Sequence, residues 1–337
     1  MKNDNYVKIG SRNIGKGRPC FIIAEAGSNH NGNLVIAKKL IDSAAEMGAD
    51  AIKFQIFTAE SLSNDKATQD ILRKYEFRKS WISSLNKHAR SKGIMFFATP
   101  FDMSSTDALS EIGVKAFKIA SGDLTYLNFI EYIARKKKPI ILSVGMATEQ
   151  EIKNALKVIF STGNRNVILL HCIADYPTRP EDANIKCIAS LQKLFNVPVG
   201  YSDHTLGVHI SMAAVCLGAA VIEKHFTLSR KMKGPDHPFA IEPNELKELV
   251  RGIRDIERAG GDGRKRPAKC EIQGLRLGRR SLFAAREIPK GKIINQADIK
   301  AVRPSIGIGA NFYDSVVGKK ARQKITCGEP IKWIKIA

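Results

Sequence analysis

Two histidines, each ending a short apolar run, are the residues whose spacing most directly suggests chemistry. His204 and His225 are separated by a helix-like segment, which predicts a βαβ unit. Such a unit places both histidines at the carboxyl ends of adjacent parallel strands. With Asp203 and Glu223 beside them, two converging imidazoles predict a site for a divalent metal ion. The alternative is that each histidine is a capped or hydrogen-bonded residue of the scaffold.

The elements that would position these histidines recur along the chain. Eight short apolar runs, each followed by a helical pattern, are the predicted strands Phe21–Glu25, Ala51–Gln55, Ile94–Thr99, Ala116–Ala120, Pro139–Val144, Val167–Cys172, Val197–Ser202 and Val221–Phe226. Among the helices, Glu149–Phe160 follows the N-cap candidate Thr148, and Pro243–Ala259 is long and amphipathic. Eight strand–helix repeats predict an α/β protein with a (β/α)8 TIM barrel. The alternative, a doubly wound open sheet, is disfavoured by the count of eight.

Polar residues at the ends of these strands should form one site, because reacting groups collect at the carboxyl end of such barrels. Besides the two histidines, they are Glu25, Asn29, His30, Lys53, Gln55, Thr99, Lys118, Ser121, Ser143, His171 and Tyr176. Lys53 and Lys118 have no obvious acidic partner in the sequence, and an unpaired ammonium is costly to bury. We therefore expect an anion between the two lysines. The hydroxyls expected to complete a phosphate or carboxylate cradle are those of Thr99, Ser121, Ser143 and Ser202. Each hydroxyl alone could equally cap a strand end.

The strand–helix repeat stops at Ala259. After about Arg279 the pattern is one of short strands and turns with few helical stretches. We predict a barrel domain over residues 1–262 that begins with a small hairpin, a linker over 263–278, and a β-rich module over 279–337. A module of about 60 residues is small for an independent core, so we expect it to dock onto another surface.

The composition fits a globular chain with a sizeable core. Hydrophobic residues make up 44% of the 337 residues, and no apolar run approaches the roughly 18–20 residues of a membrane span. The first residues contain no apolar stretch typical of a signal peptide. The six cysteines are scattered without a CxxC pair. We therefore expect reduced thiols in a cytoplasmic protein, not a disulfide framework or a zinc site.

The net charge of +21 raises the alternative of a nucleic-acid-binding protein. Lysine and arginine are spread over the whole chain, with local runs at 135–138, 264–269, 276–280 and 319–322. No helix-turn-helix, zinc-finger or RNP-type aromatic motif accompanies them. The pattern favours a solvated basic surface that helps to attract an anionic substrate, and nucleic acid is an unlikely partner on this interpretation.

Five motifs together resemble those of the sialic acid synthase family. They are Ile23–Gly32, Lys53–Gln55, Ser121–Asp123, Gly200–Thr205 and Glu223–Thr227. The resemblance covers almost the whole chain, and its C-terminal part looks like the antifreeze-like (SAF) domain that follows the barrel in those enzymes. The motifs are specific for the family but not for one sugar within it.

The resemblance implies a condensation of phosphoenolpyruvate with an N-acetylated aldose such as N-acetylmannosamine, giving an N-acetylneuraminate-type acid and phosphate. It implies that His204 and His225 bind Mn²⁺ or Mg²⁺. For the mechanism that follows, Glu25 is our own candidate for moving protons at the sugar. The residues implied to hold phosphoenolpyruvate are Lys53, Thr99, Lys118, Ser121, Ser143 and Ser202; those implied to face the sugar are Glu25, Tyr176, Asp236 and Arg303. It also implies a homodimer in which the SAF domain caps the partner subunit's barrel.

One departure and several alternatives accompany the resemblance. Ala174 stands two residues before the Tyr-Pro pair, where the family usually has Asn, Ser or Thr, so phosphate binding or sugar placement could differ there. The sequence leaves open N-acetylmannosamine, its 6-phosphate and the diacetamido-trideoxy sugars leading to legionaminic or pseudaminic acid. Asn311–Tyr313 favours the last group, whereas Leu206–Gly207 and Gly234–His237 favour N-acetylneuraminate-type enzymes. We favour an N-acetylneuraminate-type enzyme. Another barrel synthase that uses phosphoenolpyruvate, of the 3-deoxy-heptulosonate type, is the remaining enzymatic alternative.

Overall fold

The structure, a computed structural model, describes residues 6–337, so the first five residues of the predicted barrel domain lie outside it. Its contacts divide the chain into two compact units, residues 1–260 and 261–337. The first unit contains the α/β barrel, and the second follows directly after the last barrel helix.

The first unit begins with an antiparallel hairpin and continues into a parallel barrel. The hairpin strands are β1 (Tyr6–Ile9) and β2 (Arg12–Gly15). The barrel strands are β3 (Phe21–Gly27), β4 (Ala51–Ile56), β5 (Met95–Pro100), β6 (Phe117–Ile119), β7 (Ile140–Ser143), β8 (Val167–His171), β9 (Val199–Asp203) and β10 (Val221–His225). They pair in the order β5-β4-β3-β10-β9-β8-β7-β6, with β5 and β6 side by side at the seam. The predicted (β/α)8 barrel is confirmed.

Helices connect the strands and cover the outside of the barrel. They are α1 (Leu34–Glu46), α2 (Ala59–Leu62), α3 (Lys66–Leu72), α4 (Trp81–Ser91), α5 (Met103–Glu111), α6 (Leu127–Arg135), α7 (Glu149–Ser161), α8 (Cys187–Phe195), α9 (His209–Cys216) and α10 (Pro243–Ala259). Thr148 accepts a hydrogen bond from the backbone N–H of Glu151, which confirms the predicted N-cap of α7. No helix in residues 6–337 is long and apolar enough to cross a membrane.

The barrel interior changes from apolar to polar along the strands. Alternate residues of a strand point to opposite faces, so Phe21, Ile23 and then Glu25 of β3 share the inward face. The amino-terminal part of the interior is filled by such apolar residues together with Val7, Ile9 and Ile14 of the hairpin. The opposite, carboxyl-terminal part is therefore where inward-facing polar residues collect.

Strands β9 and β10 pack so closely near the polar end of the barrel that only glycine fits at position 200. A Cβ atom on Gly200 of β9 would lie only 2.4 Å from the backbone oxygen of Val221 on β10. A side chain there would force the two strands apart. Because Glu223 pairs with Ser202 across these strands, Gly200 helps to fix the register of the histidine-bearing pair.

The second unit has its own small apolar core but little regular secondary structure. It contains α11 (Ile272–Gly278), β11 (Ser281–Ala284), β12 (Ile299–Val302) and α12 (Tyr313–Val316). β11 and β12 pair as an antiparallel ladder, and most other strand-like contacts are single bridges such as Phe283 with Pro330. The predicted linker over 263–278 is not wholly irregular, because α11 occupies its second half.

Candidate active site

A cavity of about 410 Å³ opens at the carboxyl ends of the barrel strands. The predicted site residues that line it are Glu25, Lys53, Thr99, Lys118, Ser121, Ser143, Tyr176, Ser202, His204 and His225. Asp236 lies beside them, with its Oδ2 3.7 Å from Nδ1 of His225. Arg303 belongs to the second unit, where it is exposed directly after β12. Its contact with a sugar stays a prediction.

The two lysines are buried in this cavity, but the expectation that they lack acidic partners is wrong. Nζ of Lys53 lies 2.9 Å from Oε2 of Glu25 and 3.6 Å from Oε2 of Glu223. Nζ of Lys118 lies 3.7 Å from Oε1 of Glu223. Glu223, on β10, is far along the chain from both lysines, whereas Glu25 lies on β3, directly beside the strand that carries Lys53. The closed barrel brings these groups together.

Hydroxyl groups hold both ammonium groups in place. Lys53 donates to Oγ1 of Thr99 at 3.0 Å, and Lys118 donates to Oγ of Ser143 at 2.6 Å. Ser202 donates to Oε1 of Glu223 at 3.0 Å. Three of the four hydroxyls expected to form an anion cradle therefore touch a charged group of the cluster.

The fourth hydroxyl, that of Ser121, contacts uncharged groups in the cavity lining. Its Oγ accepts a hydrogen bond from the backbone N–H of Gly145 at 3.0 Å and lies 3.2 Å from Sγ of Cys172. A Cβ atom at Gly145 would lie 2.9 Å from that sulfur. The loops after β6, β7 and β8 thus pack closely around Ser121.

Burial raises the pKa of both Glu25 and Glu223, whereas the charges of the neighbouring lysines lower it. Burial raises the pKa of Glu25 despite the neighbouring ammonium of Lys53. Burial alone would also raise the pKa of Glu223, yet Lys118 and Lys53 hold it below its usual range. A carboxyl with a raised pKa suits proton transfer, whereas Glu223 stays ionised.

The histidine pair fits a metal site in its protonation and orientation. Nδ1–H of His204 donates to the carbonyl of Ile173 at 2.6 Å, which leaves the lone pair on Nε2. Burial lowers the pKa of His204 to about 4 and also lowers that of His225, so both rings are neutral, as metal ligands must be. Nδ1 of His225 is buried without a hydrogen-bond partner in residues 6–337.

Two histidines alone do not complete the coordination of a metal ion. The ring centroids of His204 and His225 are 5.5 Å apart. The described residues contain no group of three or more His, Cys, Asp or Glu side chains arranged to hold an ion. A metal bound here would therefore complete its coordination with water and substrate, which is the open arrangement that Lewis-acid catalysis needs.

The aromatic side chains of Tyr176 and Phe239 pack beside the two imidazole rings. The ring of Tyr176 lies 4.2 Å from that of His204 and 5.4 Å from that of Phe239. Phe239 in turn meets His225 edge-on at 5.0 Å. Tyr176 remains 48% exposed, so its outer face is available to a ligand.

Asp236 approaches the cavity because Gly27 has no side chain. Gly27 has a φ of +50°, and a Cβ atom there would lie 3.0 Å from Oδ2 of Asp236. The same oxygen lies 3.4 Å from the hydroxyl of Ser28, which donates to it. The Ile23–Gly32 motif therefore shapes the side of the cavity next to Asp236, which is predicted to face the sugar.

Three features of the site had weak or no signals in the sequence. Glu223 shares a strand face with His225, but its role between the lysines required the closed barrel. Cys172 and Phe239 carried no pattern that would single them out. Conversely, Nε2–H of His171 donates to the carbonyl of Ala183, and Asn29 donates to the carbonyl of Phe226, so both serve the scaffold.

His30 is also a scaffold residue, held inside an aromatic cluster. It lies within 6.1 Å, between ring centroids, of Phe54, Phe77 and Trp81. Its Nδ1 accepts from the backbone N–H of Gly32 at 3.0 Å, and burial lowers its pKa to about 4. This neutral imidazole anchors the loop after β3.

A larger cavity, of about 730 Å³, lies at the amino-terminal ends of β3 and β10. Its lining includes Lys16, Arg18 and Glu257. None of the buried side-chain atoms that lack a hydrogen-bond partner in the described residues lies there. Unpartnered atoms of Glu223, His225 and nearby Asp123 instead cluster at the polar end of the barrel. Chemistry, not size, identifies the smaller cavity as the candidate active site.

Comparison with known proteins identifies the family of the chain. The chain matches the NeuB family over residues 40–265 and the SAF domain over residues 279–337. It is 44% identical over 329 residues to the N,N'-diacetyllegionaminic acid synthase of Campylobacter jejuni, which covers 93% of this chain and 98% of that protein. It is 38% identical to the N-acetylneuraminate-9-phosphate synthase of Homo sapiens, over 91% of this chain and 90% of that protein.

A solved structure gives the same result in three dimensions. The N-acetylneuraminic acid synthetase from Leptospira borgpetersenii, in complex with citrate, superposes with a TM-score of 0.76 at 38% identity. The match covers 80% of this chain and 95% of that one. The resemblance drawn from the five motifs is thus confirmed, and the chain belongs to the NeuB family of sialic acid synthases, with a C-terminal SAF domain.

Proposed function

We propose that the protein condenses phosphoenolpyruvate with an N-acetylated aldose and water, releasing phosphate and a nonulosonic acid. N-acetylmannosamine, which would give N-acetylneuraminate, is the first candidate sugar. The observation that carries the proposal is the presence, in one cavity, of two buried lysines and two neutral histidines. Family membership supports the same reaction class.

The lysines would bind the anionic groups of phosphoenolpyruvate. Lys53 and Lys118 are almost completely buried, so their charges act on a ligand with little screening by water. Thr99 and Ser143 already orient the ammonium groups by accepting hydrogen bonds from them. The hydroxyl groups of Ser121 and Ser202 line the same cavity.

The histidines would hold the cofactor. When bound to His204 and His225, a divalent Mn²⁺ or Mg²⁺ ion would supply Lewis-acid polarisation of the sugar aldehyde and a bound water. The hydrogen bond from His204 to the carbonyl of Ile173 fixes the ring in the tautomer that leaves the lone pair on Nε2. Tyr176 and Phe239 pack against each other beside the two histidines, with ring centroids 5.4 Å apart.

The bond changes balance without a further co-reactant. C3 of phosphoenolpyruvate bonds to the aldehyde carbon, water adds at C2, and the C2–O bond to phosphate breaks. Of the two protons of water, one reaches the new hydroxyl of the sugar and the other leaves with phosphate. Glu25, whose pKa is raised by burial and whose Oε1 accepts from Nε2 of Gln55 at 2.9 Å, is our candidate for moving the first proton.

A panel of sugars tests the proposal. The purified enzyme would be given phosphoenolpyruvate, Mn²⁺ and each candidate sugar, with phosphate release and product mass as readouts and Lys53→Met as the inactive control. Turnover of N-acetylmannosamine supports the first candidate. Turnover only of a sugar phosphate without an N-acetyl group would contradict the proposal and favour a 3-deoxy-heptulosonate-type synthase.

A diacetamido-trideoxy sugar leading to legionaminic acid is the second candidate substrate. The 44% identity to the Campylobacter jejuni legionaminic acid synthase favours it. The same panel separates it from N-acetylmannosamine and from the 6-phosphate. Preference for the diacetamido sugar by kcat/KM would replace the first candidate without changing the reaction class.

The proposal includes the homodimer implied by the family resemblance, in which Arg303 serves the partner subunit's site. Mixing two inactive variants, Arg303→Ala and His225→Ala, should regenerate some activity once subunits exchange, because one mixed site has both groups intact. Lack of recovery in verified heterodimers would contradict an arrangement in trans.

A further inference from the structure

Glu223 lies between the two lysines, at the floor of the candidate active site. Its side chain is 6% exposed, and its two oxygens face different ammonium groups. Oε1 is 3.7 Å from Nζ of Lys118, and Oε2 is 3.6 Å from Nζ of Lys53. Both distances are too long for a hydrogen bond, so Glu223 acts on the lysines through its charge.

The two lysines depend on Glu223 to different degrees. Lys53 has a second and closer carboxylate, since Glu25 lies 2.9 Å from it. Lys118 has only neutral oxygens in hydrogen-bond contact, those of Ser143 and of its neighbour Ile119. Within residues 6–337, Glu223 is the one carboxylate that lies within 4.0 Å of Lys118.

We propose that Glu223 is a positioning residue, a fixed counter-anion that keeps Lys118 in its charged form so that the cavity is ready to bind an anion. This inference rests on the proposed function, because it identifies the anion as phosphoenolpyruvate. In this role Glu223 touches neither the substrate nor the reacting atoms. It acts on catalysis only through the charge of Lys118.

The geometry explains why the counter-anion does not compete with the substrate. The hydroxyl of Ser202 donates to Oε1 at 3.0 Å and restrains the carboxylate from moving closer to Lys118. The gap of 3.7 Å leaves the ammonium without a direct bond to Glu223. Lys118 can therefore turn its N–H groups toward a phosphate or carboxylate without first breaking an ion-paired hydrogen bond.

The surroundings of Lys118 agree with this role. Burial lowers the pKa of Lys118, and Glu223 is the strongest influence that raises it. The other charged or titratable groups that act on Lys118 or feel its charge, from the neighbouring strands and loops, are Glu25, Lys53, Asp123 and Cys172. Of these, Lys53 lowers the pKa further, so loss of Glu223 would leave two buried cations with one close carboxylate.

Glu223→Gln removes the charge and keeps the shape and the contact with Ser202. Calorimetric titration of the wild type and this variant with phosphoenolpyruvate, Mn²⁺ being held constant, should start at about pH 7.5, where a phosphate monoester is ionised. Repeating it at pH values up to about 9 and in buffers of different ionisation enthalpy measures protons taken up on binding. Glu223→Asp, which keeps the charge, is the matched control.

The wild type and Glu223→Asp should bind with little proton uptake and a nearly constant Kd. In Glu223→Gln, binding should take up as much as one proton, and the Kd should rise by up to about tenfold per pH unit. A purely structural role for Glu223 would not create proton uptake. Binding by Glu223→Gln without proton uptake and with a constant Kd would overturn the inference.

A second probe separates this inference from the proposed function. Inorganic phosphate is titrated into the same proteins under the same conditions. If the wild type binds phosphate but not phosphoenolpyruvate, the proposed function fails while the phosphate data still decide the role of Glu223. If Glu223→Gln is unfolded by circular dichroism, Glu223→Met provides the same loss of charge, and failure of both variants to fold would overturn a role limited to Lys118.

Discussion

Two buried ion clusters share the strands β9 and β10 but face opposite sides of the barrel wall. On the outer side, Oδ2 of Asp203 accepts from Nζ of Lys224 at 2.9 Å and from the hydroxyl of Ser211 at 2.5 Å. Oδ1 of Asp203 accepts twice from Thr205, and Lys224 donates also to the carbonyl of Thr205. On the inner side, Glu223 has one hydrogen bond, from Ser202, and an oxygen with none in the described residues.

The difference teaches how to distinguish a structural cluster from a binding cluster. Both are buried, and both contain a lysine and a carboxylate. In the outer cluster every close contact is a direct hydrogen bond, which is what a buried charge needs for stability. In the inner cluster no hydrogen bond joins Lys118 to Glu223, so Lys118 keeps hydrogen-bonding capacity for a ligand. We expect substitutions in the outer cluster to affect folding and substitutions in the inner cluster to affect binding.

The largest expected effect is on the inner side, at the histidines. EDTA should reduce activity below detection and Mn²⁺ should restore it, because the two neutral imidazoles are the proposed metal ligands. His225→Ala should remain folded by circular dichroism yet fail to respond to Mn²⁺. Full activity of the chelated enzyme would contradict the metal assignment.

On the outer side, Lys224→Met should affect folding. It leaves the carboxylate of Asp203 buried without its cation, which costs about 3–5 kcal/mol in the free energy of unfolding. Urea denaturation measures the loss, with Lys247→Met on the exposed face of α10 as the matched control. A variant as stable as the wild type would contradict the structural role of this cluster.

Back on the inner side, Lys118→Met should weaken phosphoenolpyruvate binding by about 1.5–3 kcal/mol, the value of one charge-assisted contact. The KM for phosphoenolpyruvate should rise far more than that for the sugar. The free energy of unfolding should fall less than in Lys224→Met, because Glu223 retains Lys53 as a partner. Equal effects on both substrates would count against the proposed clamp.

The smallest expected effect concerns a third cluster, in the SAF domain. Asp298 accepts from Arg286, from Lys292 and from the backbone N–H of Asn295, and although burial opposes it, these contacts lower its pKa to about 2. Because the folded-state pKa lies below the unfolded value of about 3.9, the stabilisation is present above that value and is lost as the pH falls toward 2.

Acid unfolding of Asp298→Asn tests this third cluster. The stability difference between the wild type and the variant should shrink from about pH 4 to pH 2. Asp314→Asn, at an exposed aspartate of α12, is the control. A difference that is independent of pH in this window would show that the cluster stabilises by packing and not by charge.

Most of the barrel could be predicted from the sequence because burial on both strand faces leaves uninterrupted apolar runs. The long helix Pro243–Ala259 was predicted to the residue, since its buried positions Leu246, Leu249 and Ile253 repeat with helical spacing. The second unit was less predictable. Its backbone pairs mainly through single bridges, such as Ile288 with Ile325, which leave no strand periodicity.

The set of site residues could be proposed from strand ends and motifs, but their pairing could not. Which carboxylate meets which lysine depends on barrel closure, as with Lys118 and Glu223 on strands that are not neighbours in the sheet. Phe239 reaches His225 only through the loop after β10 and its short 3-10 helix His237–Phe239, for which no periodic pattern exists. Sequence spacing identifies faces of strands, and contacts across the barrel require the folded chain.

The balance of charge within the inner cluster has a consequence for how substrate arrives. The charges of Lys53 and Lys118 are offset by those of Glu25 and Glu223, so at distances beyond a Debye length of about 8 Å the four groups exert little net field. Long-range attraction of an anion must then come from the rest of the chain, whose formal net charge is +21. The rate of association with the substrate should therefore fall as ionic strength rises. The short-range attraction between the substrate and the buried lysines should depend much less on ionic strength.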